Sequence, residues 1–363
     1  MRRMRHSKTF SASSAGAVAR LAAAAAASLL AVCAYGAPAG RRPSGRTAKR
    51  DVPVIQAPAQ PMPSGGAYRL VSKVPGGVSC DPYVGAISAD AETGRILFTD
   101  RADKKGYPAS VTKLMTALLV VEDIEAGRYG FDDRAEASQR AVSQQPSSVG
   151  IKLGQTMTIR DLCTSIMVKS ANDAAVILAE YAGLHGAGAV KPPPGAKPGQ
   201  SGEYEAFIAR MTARAKELGM ANTVYTSANG LPPEKNRAGK PQRDFDSSTA
   251  GDLLKLAREV IRHPQILEWT KLARTTVTDG SGKPLEISNH NLFLAGTRDT
   301  PKIEGCDGLK TGYTDAAGSS IVLTATRKGR RALVVVLSSS GRKLRDDNAG
   351  RLMNDALGAL SGW

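Results

Sequence analysis

The chain has 363 residues, 42% of them hydrophobic, with 49 Lys and Arg against 33 Asp and Glu for a net charge of +16. That length can bury a sizeable core in one large or two modest domains, and the apolar content excludes a wholly disordered or fibrous chain. Residues 1–39 contribute +5 of the charge and residues 40–80 contribute +6, leaving +5 for the rest; a folded part so mildly basic, without a nucleic-acid-binding motif, gives no grounds for a nucleic-acid partner.

Arg2, Arg3, Arg5 and Lys8 precede an Ala/Leu-rich run from Leu21 to Ala37, with the small residues Ala34, Gly36, Ala37 and Ala39 at its end. A basic start, a short apolar core and small residues after it form the pattern of a secretory signal peptide. Residues 1–39 are therefore read as a signal peptide and the protein as exported, periplasmic or extracytoplasmic after cleavage. A retained N-terminal anchor is the competing reading; a lipoprotein reading through Cys33 is weaker, because Val32 stands where a small residue is usual. Residues 40–79, rich in Pro, Gly, Ser, Arg and Lys without an apolar period, read as a basic disordered linker. Residues 80–363 read as the catalytic domain. Without the leader three cysteines remain, enough for one bridge at most. Cys163 lies in an apolar helical run and reads as a buried small hydrophobe; pairing of Cys80 with Cys306 stays open.

From Tyr83 the pattern is that of a β-hairpin: Tyr83 to Ala89, a turn through Asp90-Ala91-Glu92-Thr93-Gly94, then Arg95 to Thr99. Gly106-Tyr107-Pro108-Ala109-Ser110-Val111-Thr112-Lys113 opens an apolar helix reaching about Ala126, with Ser110 and Lys113 in its first turn. Thr158-Ile159-Arg160-Asp161 is a capping-box pattern starting a helix through Met167. Ser170-Ala171-Asn172-Asp173 interrupts it, and Ala174 to Tyr181 resumes helical spacing. Gly183 to Gly202, centred on Pro192-Pro193-Pro194, reads as a flexible surface insertion. Glu203 to Leu218 and Ala250 to Ile261 are amphipathic helices. Lys310 to Thr314, Gly318 to Thr326 and Ala332 to Ser338 read as strands, and Asp347 to Leu360 as a closing helix. Strands early, helices in the middle and strands late predict an α+β fold, a mostly antiparallel sheet interrupted by a helical block.

Residues at i and i+3 share a helix face, so Ser110 and Lys113 present a hydroxyl and an amine side by side at a helix N-terminus, where the dipole lowers an amine's pKa. Ser170 and Asn172 sit at a break between helices: as structure they make a cap, Ser170 with Asp173 being a capping-box pair, and as chemistry a proton relay and an amide that holds a substrate carbonyl and the Lys113 amine. Lys310-Thr311-Gly312-Tyr313 places a cation and a hydroxyl on a strand edge that an extended peptide can approach. Each cluster alone has an ordinary structural explanation. In order, Ser-x-x-Lys, Ser-x-Asn about 60 residues later and Lys-Thr-Gly about 140 after that resembles the signature of penicillin-binding proteins and serine β-lactamases. Ser340-Gly341-Arg342-Lys343 follows Lys-Thr-Gly and is out of order.

The chain resembles the low-molecular-mass serine D-alanyl-D-alanine carboxypeptidases over roughly residues 80–360, including Ala228-Asn229-Gly230-Leu231, Ser248-Thr249-Ala250 and Asp307 to Gly318. The resemblance implies a DD-peptidase/β-lactamase-like fold, with an antiparallel sheet flanked by helices and an inserted helical subdomain. It implies Ser110 as acylated nucleophile and Lys113 as its base, with Ser170 and Asn172 relaying protons and positioning substrate. Lys310 and Thr311 would bind the terminal carboxylate, Gly312 would let the substrate approach, and the N–H groups of Ser110 and Tyr313 would form the oxyanion hole. Arg345 would also meet the carboxylate, with Arg342 as the neighbouring candidate. The implied partners are peptidoglycan stem peptides and, as inhibitors, β-lactams; no metal or organic cofactor is called for. Lys169 stands where relatives often have a neutral residue. Many relatives continue into a β-rich domain and an anchoring helix, and the chain's stop at Trp363 predicts no C-terminal membrane anchor.

A class A β-lactamase is disfavoured by the lack of a Glu-x-x-Leu-Asn segment between the second and third motifs. A D,D-endopeptidase shares every motif and stays open, and a silent wall-binding protein is the non-enzymatic rival. The histidines lack metal-ligand spacing, and His290 reads as a structural loop residue.

Overall fold

The computed structural model describes residues 69–72, 74–233, 244–297 and 303–362. The expected signal peptide and most of the expected linker lie outside the described residues. The strands are β1 (Arg69–Leu70), β2 (Cys80–Asp81), β3 (Gly85–Asp90) and β4 (Ile96–Asp100). A 3-10 turn, Ala109–Thr112, leads into α1 (Lys113–Glu125), followed by β5 (Arg134–Glu136), α2 (Gln139–Val142), β6 (Thr156–Thr158), α3 (Ile159–Val168), α4 (Asn172–His185) and α5 (Glu203–Glu217). After these come α6 (Ala250–Val260), α7 (Pro264–Thr270), β7 (Arg274–Thr278), β8 (Pro284–Ser288), β9 (Cys306–Thr314), β10 (Gly318–Arg327), β11 (Arg330–Ser339) and α8 (Arg342–Ser361).

Antiparallel pairing joins β4, β3, β11, β10 and β9 side by side, and β1–β2 attaches through one parallel pair, Ser339 with Cys80. The strand β1 falls within the stretch expected to be linker, so the ordered unit begins before residue 80. Period-2 alternation sorts the sheet's residues between two cores. Leu333, Val335 and Leu337 of β11 join the core shared with α1, α3, α4 and α6, whereas Ala332, Val334 and Val336 face the core closed by α8. On α8 the covering residues Ala349, Leu352, Met353, Ala356 and Leu357 recur at helical spacing, which is why one helix suffices for that face.

Most elements fall where the pattern predicts. Thr158 caps α3 by accepting from the Asp161 N–H, and Thr249 caps α6 in the same way from Asp252. α7 lies beyond the helices the sequence pattern predicts: Pro264 starts it at its first position, where a missing N–H costs nothing. The hairpins β5–β6 and β7–β8 were also missed, being short and polar on one side. The stretch from Gly183 is not loose throughout, since α4 runs on to His185 and the Glu203 carboxylate accepts from the Gly199 and Ser201 N–H groups. Cys163 is buried as expected, and all three described cysteines are free thiols. Cys80 aligns with Ser339 at one end of β11, while Cys306 pairs with Ala325, opposite Ala332 at the other end, so the two cannot bridge.

Candidate active site

The serine turn is held by close backbone approaches. Ala109 has φ +49°, a left-handed conformation that costs an L-residue free energy and needs support from its surroundings. Gly230 and Gly312 supply it: a Cβ on Gly230 would lie 1.9 Å from the Ala109 carbonyl oxygen, and one on Gly312 would lie 2.5 Å from that of Pro108 and 3.1 Å from the Ser110 nitrogen. Ser110 therefore sits in the 3-10 turn before α1, not in the first α-helical turn the sequence suggested. It is half-buried, and β9, the sheet's edge strand, passes beside its N–H.

Lys113 is fully buried on a helix that is itself buried nearly all round. Its Nζ lies 2.9 Å from Ser110 Oγ, 2.7 Å from Asn172 Oδ1 and 2.8 Å from the Asn229 carbonyl oxygen. The two oxygens from Asn172 and Asn229 can only accept. A neutral amine has two N–H bonds and one lone pair, so donating to both leaves the lone pair for the Ser110 hydroxyl proton. Burial holds the Lys113 pKa well below the lysine range, and the Lys310 charge lowers it further, against the opposing pull of Asp246 and Asp173.

Asn172 is fixed at both ends of its peptide and side chain, its N–H donating to the Ser147 carbonyl at 2.7 Å and its amide nitrogen to the Pro146 carbonyl. Ser170, at φ +62°, turns the chain between α3 and α4. The expected Ser170–Asp173 cap does not form. Ala171 occupies the N-cap without a side-chain bond, and the Asp173 carboxylate instead accepts from the N–H groups of Val149, Gly150 and Ala174.

Across the crevice, Lys310 Nζ donates to Ser170 Oγ and to the Thr311 carbonyl, both at 2.9 Å. Burial, then the neighbouring Arg345 charge, lowers its pKa to about 7. Thr311 is buried beside it, and Arg345 is 4% exposed, its guanidinium bound to Asp346 at 2.8 Å through Nε and 2.7 Å through Nη2. Arg342 is exposed, with its guanidinium 5.2 Å from the centre of the Tyr313 ring. Tyr313 stands 47% exposed at the crevice mouth, its hydroxyl donating to Asp315 at 2.7 Å.

All the residues chosen from the three motifs thus converge, and Arg345 joins them as a charge neighbour of Lys310. His290, expected to be a structural loop residue, lies within reach of the same charges: desolvation, then Lys310, Arg342, Lys169 and Lys113, lower its pKa to about 4. The Asn229 carbonyl went unassigned in the sequence, although the Ala228-Asn229-Gly230-Leu231 stretch was a signal for it. Asp246, which accepts from Thr112 and Ser227 hydroxyls at 2.9 Å, had no such signal.

A hydroxyl against a buried amine, a second serine against a second lysine and an edge strand closing the crevice define an active-serine site on the fold of the penicillin-binding DD-peptidases. Penicillin-binding protein D2 from Listeria monocytogenes in the ampicillin-bound form shares this fold, with a TM-score of 0.59 and 31% identity over 76% of this chain and 97% of that one. A penicillin-binding protein 3 from Streptococcus pneumoniae superposes with a TM-score of 0.63 at 29% identity, over 75% of this chain and 72% of the other. The sequence model of the D-alanyl-D-alanine carboxypeptidase family matches residues 84–190 and 199–341, and the chain belongs to that family. The match skips the Pro-rich residues 191–198. D-alanyl-D-alanine carboxypeptidase DacF of Bacillus subtilis is 27% identical over 75% of this chain, which spans 61% of the length of that relative.

Proposed function

We propose that the protein is a serine D-alanyl-D-alanine carboxypeptidase that removes the terminal D-alanine from peptidoglycan stem pentapeptides and is inhibited by β-lactams. The observation that carries the reading is the Lys113 nitrogen, 2.7 Å from Asn172 Oδ1, 2.8 Å from the Asn229 carbonyl and 2.9 Å from Ser110 Oγ; a neutral amine that donates to the first two turns its lone pair to the Ser110 hydroxyl. Lys113 accepts the Ser110 proton as Oγ attacks the penultimate carbonyl, and the N–H groups of Ser110 and Tyr313 receive the oxyanion. Lys310, Thr311 and Arg345 hold the terminal carboxylate; Ser170, hydrogen-bonded to Lys310, passes a proton to the departing D-alanine nitrogen. Water then hydrolyses the acyl-enzyme. A β-lactam offers a similar carbonyl and carboxylate to the same groups and stays attached to Ser110.

The N-terminal signal-peptide pattern supports the same reading, since peptidoglycan lies outside the cytoplasm. Residues 1–39 have signal-peptide composition, and no helix of the described residues is long and apolar enough to cross a membrane. Labelling with a fluorescent penicillin tests the chemistry. The wild type becomes labelled and releases D-alanine from a defined pentapeptide, and Ser110→Ala does neither. Equal labelling of both would remove the proposal.

A further inference from the structure

Both acceptors on Lys113 are set by one short strip of chain. After α2, residues 144–147 run past the base. The Pro146 and Ser147 carbonyls hold Asn172 by its amide nitrogen and its backbone N–H, and Gln144 reaches Asn229. Gln144 Oε1 accepts from Asn229 Nδ2 at 2.8 Å, while Gln144 Nε2 donates to the Arg140 carbonyl at 3.1 Å. This pairing fixes the Gln144 amide, because the flipped group would set nitrogen against nitrogen at Asn229 and oxygen against oxygen at Arg140.

The Asn229 side chain in turn directs its own carbonyl. Asn229 Oδ1 accepts from the Leu231 N–H at 3.0 Å, an Asx turn that restrains the backbone torsion deciding where the Asn229 carbonyl points. That carbonyl is the one 2.8 Å from Lys113 Nζ. The peptides on either side are anchored separately, the Ala228 carbonyl by the Thr116 hydroxyl at 2.7 Å and the Gly230 N–H by Ser227 Oγ at 2.9 Å. Gln144 and Asn229 both line a cavity of about 840 Å³ between α2, α5 and the segment that follows Asn229. On that side a hydrogen bond, not close packing, holds the Asn229 amide.

We propose that Gln144 is a positioning residue for the base: it fixes the Asn229 amide and, through the Asx turn, keeps the Asn229 carbonyl on Lys113. The proposal rests on Lys113 acting as the base toward Ser110. Gln144 acts through Asn229 on the step in which Ser110 Oγ bonds to the substrate carbonyl carbon and its proton passes to Lys113. With the carbonyl loosened, the amine is free to turn its lone pair away from the Ser110 hydroxyl, so acylation slows. Lys310, Thr311 and Arg345 lie across the crevice, and carboxylate binding is left as it was.

The test is a double-mutant cycle on acylation of the full enzyme by a fluorescent penicillin, with Gln144→Leu, Asn229→Leu and the two together. Gln144→Leu is expected to acylate about tenfold more slowly, to reach the final labelling of wild type and to keep KM for a D-Ala-D-Ala peptide within about twofold. Asn229→Leu, which also loses the Asx turn, should be slower still, and the double variant no slower than it, because both substitutions remove the same bond. Gln144→Glu keeps an acceptor for Asn229 and should retain most of the rate at alkaline pH. Gln145→Leu is the control for the loop: its amide donates to Ser148 Oγ at 3.1 Å, and its loss should leave the rate within about twofold of wild type. A wild-type rate or incomplete final labelling in Gln144→Leu, effects that multiply in the double variant, or a loss in Gln144→Glu as deep as in Gln144→Leu overturns the proposal. A wild type that takes up no penicillin removes the underlying reading instead, which keeps the two failures apart.

Discussion

Lys310 and Ser170 lie 140 positions apart in the chain and meet with Nζ 2.9 Å from Oγ. That contact joins the edge strand β9 to the turn between α3 and α4, and so closes the crevice between the sheet and the helical block. It also brings a second ammonium close enough to Lys113 to depress its pKa, which makes the two lysines one electrostatic unit.

Replacing Lys310 therefore changes more than substrate affinity. In Lys310→Gln the repulsion on Lys113 is gone, so the Lys113 pKa rises and the acid limb of the acylation profile moves to higher pH. The apparent affinity for a carboxylate-bearing substrate falls at the same time. Stopped-flow acylation by a β-lactam across pH checks this, and an unmoved acid limb would disprove the coupling.

Stability is expected to increase with pH over a defined window. The folded Lys310 releases its proton near 7, whereas an unfolded lysine holds it to about 10.5. The unfolded state thus binds more protons between these values, and Lys113, also lowered, acts in the same direction. Denaturant midpoints for Lys310→Met should lose part of the slope between pH 7 and 10 that the wild type shows.

Buried Glu180 gives the opposite sign at lower pH. Burial raises its carboxyl from 4.5 to about 7, against the hydrogen bond donated by Ser138 at 2.9 Å. The folded state keeps a proton that the unfolded state releases, so this residue's contribution is full below 4.5 and is lost as pH rises to about 7. Glu180→Gln is expected to be more stable than wild type at pH 8, on the order of 1 kcal/mol or more, and less favoured at pH 4. Urea titrations at the two pH values distinguish this from a uniform packing effect.

In the proposed mechanism Asn172 positions the base Lys113 through an acceptor that carries no charge. Asn172→Ala removes it, and acylation should slow by on the order of a hundredfold or more. Asn172→Asp keeps an acceptor but adds a charge that raises the Lys113 pKa, so its acylation should recover toward alkaline pH. A pH-independent defect in the aspartate variant would argue for a packing role instead.

Gly312→Ala tests the approach of β9 to the serine turn. The new Cβ would lie 2.5 Å from the Pro108 carbonyl oxygen, so either the strand or the turn must shift. Penicillin labelling should fall by about tenfold or more, the effect expected for misplacing an oxyanion donor or nucleophile. The circular dichroism spectrum should stay near that of wild type. Normal labelling kinetics would show that the turn yields freely.

The sequence by itself determined the local elements and the inventory of chemistry. The continuous apolar run of β11, helical spacing in α6 and the Thr158 cap are properties of neighbouring residues, and each is expressed locally whatever the rest of the chain does. The motif order likewise singled out Ser110, Lys113, Ser170, Asn172 and Lys310, because their residue types and spacing survive in one dimension. Tertiary structure alone decided which atom meets which. The Asn229 carbonyl on Lys113 lies 116 positions from it; the Ala228-Asn229-Gly230-Leu231 stretch marked the segment, but not which of its carbonyl oxygens meets the amine, because every residue has one. The place of His290 is likewise a tertiary matter, since its neighbours Asn289 and Asn291 donate to the Leu272 and Gly308 carbonyls, distant in sequence. The pKa values are decided there too, since desolvation and the charge of a lysine distant in sequence arise only when the helical block closes on the sheet.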